Sequence, residues 1–251
     1  MNVNVGSYLN YNSQYGWKAY PGLDIGYNLT ESIKFIGNVG TSQRIPSFTD
    51  LYLDQRPGNI GNPLVNPEKA FQSEFGFSYN KKVFSLNAYY FYRSITDFID
   101  WVRISPDVPW QSTNFTKLNT NGFNVKANYI WKINNNQNLN LGLSFAYLDP
   151  KFKGNNEDFA SKYKIESLKH QLINTIDYKL NAMNIMVVNR FNTRQSYQSY
   201  WITDLKISHQ LKSNVNLYLN VQNLFNTSYR EVGAIPLPSR WLTVGLKFVI
   251  I

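Results

Sequence analysis

The chain contains no cysteine, which excludes a disulfide framework and any thiolate metal site. Charged residues make up 16% of its 251 residues, against about 25% in an average soluble domain. No apolar run approaches the roughly 18 residues that a membrane-crossing helix needs. Basic residues outnumber acidic ones by 25 to 16, a net charge of +9. They are dispersed, with no basic block, so the charge leaves no nucleic-acid footprint. The two histidines, His170 and His209, lie far apart with no Cys or Glu cluster beside either, so no metal or catalytic set forms around them. Asn155-Asn156-Glu157-Asp158 clusters oxygen donors but lacks the spacing of a calcium loop. A nucleophile elbow, a phosphate-binding glycine loop and a zinc motif are all missing. Nothing here reads as an enzyme or calls for a cofactor. A leader-like segment is also missing: Met1 is followed by Asn-Val-Asn-Val-Gly, already strand-like. The reading favours an internal fragment of a longer protein.

What is present is alternation. Leu139, Leu141, Leu143, Phe145 and Tyr147 share one face, and Asn138, Asn140, Gly142, Ser144 and Ala146 the other. The same period of two places Val215, Leu217, Leu219 and Val221 against Asn214, Asn216, Asn220 and Gln222. It recurs in Leu242, Val244, Leu246, Phe248 and Ile250 at the end. The pattern predicts about twelve strands: 2–12, 19–29, 32–44, 69–80, 82–104, 114–133, 137–149, 165–179, 182–194, 199–211, 214–222 and 239–250. No long stretch shows helical periodicity.

The connections alternate in length. Tight ones fall near residues 30–31, 80–81, 134–136, 180–181 and 212–213; longer ones at 13–18, 45–68, 105–113, 150–164, 195–198 and 223–238. In a meander this gathers all tight turns at one end, the asymmetry of transmembrane β-barrels. One strand face is aliphatic and the other is Asn, Ser, Gly, Thr, Lys and Gln, as lipid outside and a polar lumen inside require. Aromatics collect at strand ends, among them Tyr8, Tyr11, Trp17, Trp131, Tyr197, Tyr200, Trp201 and Trp241, resembling interfacial girdles. The expected fold is all-β: an antiparallel transmembrane barrel segment that occupies all of 1–251.

The stretch from Arg44 to Lys69 holds Pro46, Pro57, Pro63 and Pro67, so no regular element can run through it. Phe48, Leu51, Tyr52 and Leu53 predict a self-packed loop that buries them and folds back at the barrel mouth. Phe48 and Tyr52, with Trp110 on the 105–113 loop, are candidate ligand contacts. Arg44, Glu68 and Glu74 are candidates for an ion-pair network on the lumen wall, with Arg44 and Glu68 pairing across the loop neck. Lys151, Lys153, Lys162 and Lys164 are placed to meet anionic lipopolysaccharide.

Three motifs carry a family resemblance. RIPSFTDLY (Arg44 to Tyr52) followed by GNPLVNPEK (Gly61 to Lys69) resembles the mid-barrel loop of TonB-dependent outer-membrane receptors, the cobalamin and siderophore type most of all. VQNLFNTSY (Val221 to Tyr229) resembles the family's stretch before the last strand. Thr243, Gly245, Phe248 and Ile250 fit the terminal pattern read by the barrel assembly machinery. The family usually has Pro-Gly-Arg where this chain has Pro238-Ser239-Arg240, and often ends on an aromatic where this chain ends Val249-Ile250-Ile251. The resemblance implies the C-terminal part of a barrel of about 22 strands. It also implies uptake of a scarce nutrient such as cobalamin or a ferric siderophore, in the bacterial outer membrane. TonB would act through a plug domain not in this chain. The rival readings are a carbohydrate receptor of the same superfamily, a complete 12-stranded pore or autotransporter-like barrel, and a soluble β-rich binding protein.

Overall fold

The computed structural model describes residues 1–153, 159–231 and 235–249. Twelve long strands form one antiparallel meander among them. In chain order these are β1 (Asn2–Asn12), β2 (Gly16–Asn28), β3 (Ile33–Arg44), β6 (Glu68–Lys81), β7 (Phe84–Arg103) and β8 (Trp110–Asn134). They continue as β9 (Gln137–Lys153), β11 (Leu168–Leu180), β12 (Met183–Arg194), β13 (Tyr200–Lys212), β14 (Val215–Gln222) and β15 (Trp241–Phe248). Each pairs with the next, so the order is open, with one ladder on β1 and one on β15. Three two-residue strands, β4 (Asp54–Gln55), β5 (Asn59–Ile60) and β10 (Ala160–Ser161), and two five-residue helices, α1 (Phe48–Tyr52) and α2 (Lys162–Glu166), belong to the connections.

The strand set matches the alternation, and four details differ. The first connection is tight rather than long. Asn12 Oδ1 accepts from the backbone of Gln14 at 2.9 Å and Tyr15 at 3.2 Å, and Gly16 takes a positive φ of 71°, so β2 starts at once. β9 runs through Pro150, where a loop was expected. Its ladder to β11 already ends at the Tyr147–His170 pair, so no bond is due from Pro150 on that side. The helices are single turns, too short to show a period. And the 45–67 loop buries only part of its apolar set: Leu51 is buried, while Phe48 is 79% and Tyr52 53% exposed. They stand four residues apart on the outer face of α1, ring centroids 4.9 Å apart.

Two compact parts divide the chain. The first comprises Met1–Ser78, Tyr89–Phe123 and Leu148–Ser167. Its interior is Ile95, Phe98, Phe115 and Leu118, with Phe152 and Phe159 against them. Beside this lies a smaller cluster of Leu51, Val65 and Ile99 that seats the 45–67 loop. The second part comprises Tyr79–Ala88, Asn124–Tyr147 and Leu168–Ile251. Here the β14–β15 ladder runs in unbroken register from Val215–Phe248 to Gln222–Trp241. Gly245 faces Tyr218 across it, and a Cβ there would collide with the Tyr218 phenol, so the glycine leaves room for the ring. Thr243 and Phe248 sit in the same strand; Ile250 lies outside the described residues, as do Asn155 to Asp158.

The apolar face is bare. In β15 Leu242, Val244, Leu246 and Phe248 are each more than half exposed. Ile25, Tyr27, Phe71, Phe75, Tyr129, Trp131, Leu141 and Leu143 are also exposed, spread over β2, β6, β8 and β9. A soluble protein rarely presents so much contiguous apolar surface, and a lipid-facing strand must. No helix among the described residues is long and apolar enough to cross a membrane, so any crossing is by strands.

Candidate functional site

The loop ends of the strands carry two built constellations. The first starts from Ser47, whose side chain accepts from Asp50 N at 3.1 Å while Asp50 Oδ2 accepts from Ser47 N at 2.9 Å. This capping box starts α1 immediately after Pro46. The same carboxylate oxygen takes Arg44 Nη1 at 2.8 Å, and Arg44 Nε reaches Glu68 Oε1 at 3.4 Å across the loop neck. Both carboxylates are nearly buried, whereas Arg44 is 46% exposed. Glu68 also accepts the backbone N–H of Ile99 at 2.9 Å, which ties the neck to β7. Beyond α1 the chain doubles back as the β4–β5 pair. Gly61 N donates to Leu53 O at 2.7 Å, and a Cβ on Gly61 would stand 2.7 Å from the Leu51 and Tyr52 backbone. Gly61 is therefore a close-approach residue rather than a plain turn residue.

β5 pairs in parallel with the start of β8, Asn59 with Trp110 and Ile60 with Gln111. Trp110 has two cations over its ring there: Arg103 at 4.6 Å and Lys162 Nζ at 5.2 Å from its ring centre. Lys162 also donates to Asn59 Oδ1 at 2.8 Å. Buried Asp100 accepts from Ser161 Oγ and, at 3.3 Å, from Tyr163 N, which seats α2. The Tyr163 ring packs edge-on to Phe98, and burial pushes its phenol pKa above the usual range.

The second constellation is a cleft of about 570 Å³ between the loop before β13 and the segment after β14. Tyr197, Tyr200, Trp201, Tyr229 and Arg230 line it. Tyr200 is buried; its ring lies 4.7 Å from that of Tyr229, and its hydroxyl donates to Glu231 and accepts from Asn192 Nδ2 at 2.8 Å. It is thus a wall of the cleft and not a lipid-facing girdle ring. Burial, and next the charge of Glu231, raise the Tyr229 phenol pKa. The floor depends on Asn223, buried and left-handed at φ 50°. Its amide donates to Thr227 O at 2.9 Å and Pro238 O at 3.3 Å, and its Oδ1 accepts Thr227 N at 2.8 Å. Its own N–H donates to Asp204 Oδ1 at 2.9 Å, and Asp204 Oδ2 takes Arg190 Nη2 at 2.6 Å. Aromatic walls with a few fixed polar groups suit a small organic ligand.

The sequence-derived candidates thus separate. Arg44 and Glu68 meet at the neck, joined by Asp50, which the sequence reading did not single out. Glu74 is six residues along β6, about 20 Å at 3.3 Å per residue. It makes no ion pair among the described residues. Trp110 meets the Arg103 and Lys162 cations, and Phe48 and Tyr52 form an exposed aromatic pair. Lys162 is engaged with Asn59 and two tryptophans, and Lys151 pairs with Asp149 at 3.1 Å; Lys153 and Lys164 are exposed and make no ion pair among the described residues. Asp100, Asp204 and the cleft were not found from sequence; the density of aromatics at 197–201 was the available signal. No cluster of three His, Asp or Glu side chains occurs among the described residues.

Residues 1–224 match the family described as TonB dependent receptor-like, beta-barrel. The chain belongs to that family. Over 210 residues it is 22% identical to the vitamin B12 transporter BtuB of Vibrio vulnificus, covering 83% of this chain and 33% of the relative. The chain therefore spans about a third of the length of that curated relative. Among solved structures, the siderophore receptor PirA from Acinetobacter baumannii superposes with a TM-score of 0.74 at 15% identity, covering 98% of this chain and 43% of PirA. The copper transporter OprC gives 0.71 at 18% identity, covering 92% and 40%. These likenesses confirm the fold: the open meander is part of the wall of a TonB-dependent receptor barrel.

Proposed function

We propose that this chain is the barrel wall and part of the binding mouth of an outer-membrane receptor that imports a scarce nutrient, cobalamin or a ferric siderophore. The observation that carries this is the asymmetry of construction. Ordered loops, buried carboxylates and the aromatic cleft all lie at the loop ends of strands whose apolar face is bare. The names of the relatives, a vitamin B12 transporter and a siderophore receptor, support the ligand class. In this reading the loop ends face outward and the tight turns face the periplasm. TonB acts through a plug domain outside this chain. The barrel assembly machinery reads Thr243, Gly245, Phe248 and Ile250, and the apolar face meets outer-membrane lipid. A closed 12-stranded pore requires a β1–β15 ladder, and the strand order contains none among the described residues.

The test is uptake in the source cell with the whole gene deleted and restored. Energy-dependent uptake of labelled cyanocobalamin or of one ferric siderophore should be lost and then recovered. Unchanged uptake of every such nutrient, or uptake insensitive to collapse of the proton gradient, refutes the proposal. Sidedness is read separately. A Phe48→Cys variant should label with an impermeant maleimide on intact cells above the level of the unsubstituted receptor; this chain itself has no cysteine. Labelling only after the outer membrane is opened reverses the orientation.

A further inference from the structure

The second compact part carries a large excess of positive charge. It holds thirteen lysines and arginines against three acids, Asp177, Asp204 and Glu231. Asp204 is taken by Arg190 at 2.6 Å and Glu231 by Arg194 at 3.6 Å. Register places four of the remaining cations, because paired residues share a face. Asn138, Lys179, Asn184 and Ser208 form one row across β9, β11, β12 and β13. Asn140, Asp177, Met186 and Lys206 form the next, and Gly142, Thr175, Val188 and Asp204 the one after. Gly142 meets Asn128 of β8: a Cβ on it would stand 3.4 Å from Asn128 Oδ1. Lys126 and Lys132, two and four residues from Asn128, share its side of β8. This polar face lies opposite the bare one that carries Leu141 and Leu143, so in a barrel wall it looks into the lumen.

Lys126, Lys132, Lys179 and Lys206 are all exposed on this face, and none makes an ion pair among the described residues. Each sits in a strand flanked on both sides by strands of this chain, within the run from β7 to β14. A strand from elsewhere in the barrel therefore cannot come alongside to neutralise them; only something lying over the face does. Lys206 stands six residues from the end of β13 and Lys126 eight from the end of β8, about 20 and 26 Å up the wall from the tight turns at 3.3 Å per residue. From β8 to β13 is four strand steps, about 19 Å. One small anion does not reach across that area, and the cavity of about 430 Å³ on this face is lined by Lys126 alone of the four. Dispersed cations on one wall repel each other and fit an extended acidic surface. A barrel of about 22 strands has a plugged lumen. Resting on the receptor reading for the plug itself, we propose that the plug domain presents an acidic face to β8–β13. Its carboxylates meet Lys126, Lys179 and Lys206, and one of its side chains enters the cavity that Gly142 leaves open.

The experiment uses the full-length receptor extracted from outer membranes in mild detergent. A water-soluble carbodiimide joins a lysine amine to a carboxylate only where the two touch, forming an amide with loss of one water. Peptide mass spectrometry should find Lys126, Lys179 or Lys206 joined to an aspartate or glutamate of the plug. The Lys151–Asp149 pair, at 3.1 Å, serves as the internal control for the reaction. With that control coupled, the absence of any plug crosslink, or crosslinks confined to Asp177, overturns the inference. K126E/K206E in the full-length receptor should loosen the plug by like-charge repulsion, read as at least ten-fold more frequent channel openings in planar bilayers. Lys164→Glu, in the connection outside the wall, should leave them unchanged. Wild-type opening by a double variant that keeps its heat-modifiable migration overturns the inference; where that variant fails to insert, the wild-type crosslinks decide. Nutrient uptake is followed on the same strains. Crosslinks without any uptake refute the receptor function and leave the acidic contact standing, and uptake without crosslinks does the reverse.

Discussion

Asn223 gives the sharpest test of how the cleft is built. Its side chain donates two bonds and accepts a third, at 2.8 to 3.3 Å, and its backbone holds φ at 50°. Asn223→Ala removes three neutral bonds worth about 0.5–1.5 kcal/mol each. It also puts a Cβ-bearing residue without a local hydrogen bond into the left-handed region, a further cost of about 1 kcal/mol. Taken together, the closed 223–240 segment loses about 3–5 kcal/mol relative to its open form.

Arg230 lies exposed on that segment and gives trypsin a site. Where opening is fast relative to cleavage, the cutting rate follows the open population. In the full-length receptor, cleavage after Arg230 should therefore accelerate by roughly two to four orders of magnitude. Asn223→Gly loses the same bonds but relaxes the backbone, so it should be cut about five-fold more slowly than the alanine variant. Wild-type cleavage of the alanine variant refutes the hydrogen-bond account. Equal rates for alanine and glycine refute the backbone part alone.

Arg44→Ala leaves two nearly buried carboxylates facing each other without their cation; because Arg44 is half exposed the cost is about 1–3 kcal/mol, below the 3–5 of a fully buried pair, read as faster chymotrypsin cleavage after the exposed Tyr52. Leu219→Arg should destabilise the inserted receptor by about 2–4 kcal/mol and Asn220→Arg far less, scored by heat-modifiable gel migration; equal tolerance contradicts the face assignment. Gly61→Ala meets backbone that cannot move, whereas Gly245→Ala meets the free end of a tyrosine. Thermal melts should show the larger loss for Gly61→Ala, and a Tyr218→Ala background should abolish the loss at Gly245 only.

The strands were legible because each pays its alternation out over eight or more residues, and a one-residue slip would send every leucine to the wrong face. The connections were legible only in part. Asn12 and Gly16 spell a tight turn, but between two aromatic-rich strands the segment reads equally as a longer loop. Ser47 and Asp50 spell a cap, yet five helical residues give no period to confirm it. Phe48 and Tyr52 were expected inside on hydrophobicity alone. The cap instead fixes the rotation of α1 so that Asp50 and Leu51 face in and those two rings face out. The cleft joins segments about thirty residues apart, and nothing local in either says that they meet.

The same limit explains the carboxylates. Glu68, Asp100 and Asp204 each stand near the loop end of a strand, and each accepts backbone N–H groups from a segment outside its own ladder or at the ladder's end: Ile99 for Glu68, Tyr163 for Asp100, Asn223 for Asp204. Their partners lie 31, 63 and 19 residues away, so sequence shows three ordinary acids. Asp100 and Asp204, whose partners Tyr163 and Asn223 lie in connections, solve one problem, whereas Glu68 takes a donor of β7. A long connection has backbone donors with no ladder to receive them, and an unpaired buried N–H is costly. A carboxylate at the strand end takes them with charge-assisted bonds, roughly twice as strong as neutral ones. Loops tied down in this way are ordered before any ligand arrives, which reduces the entropy that binding must overcome. Low overall charge and concentrated acid anchors at the loop ends are then one design: charge is spent where loops need fixing and withheld from the face that meets lipid.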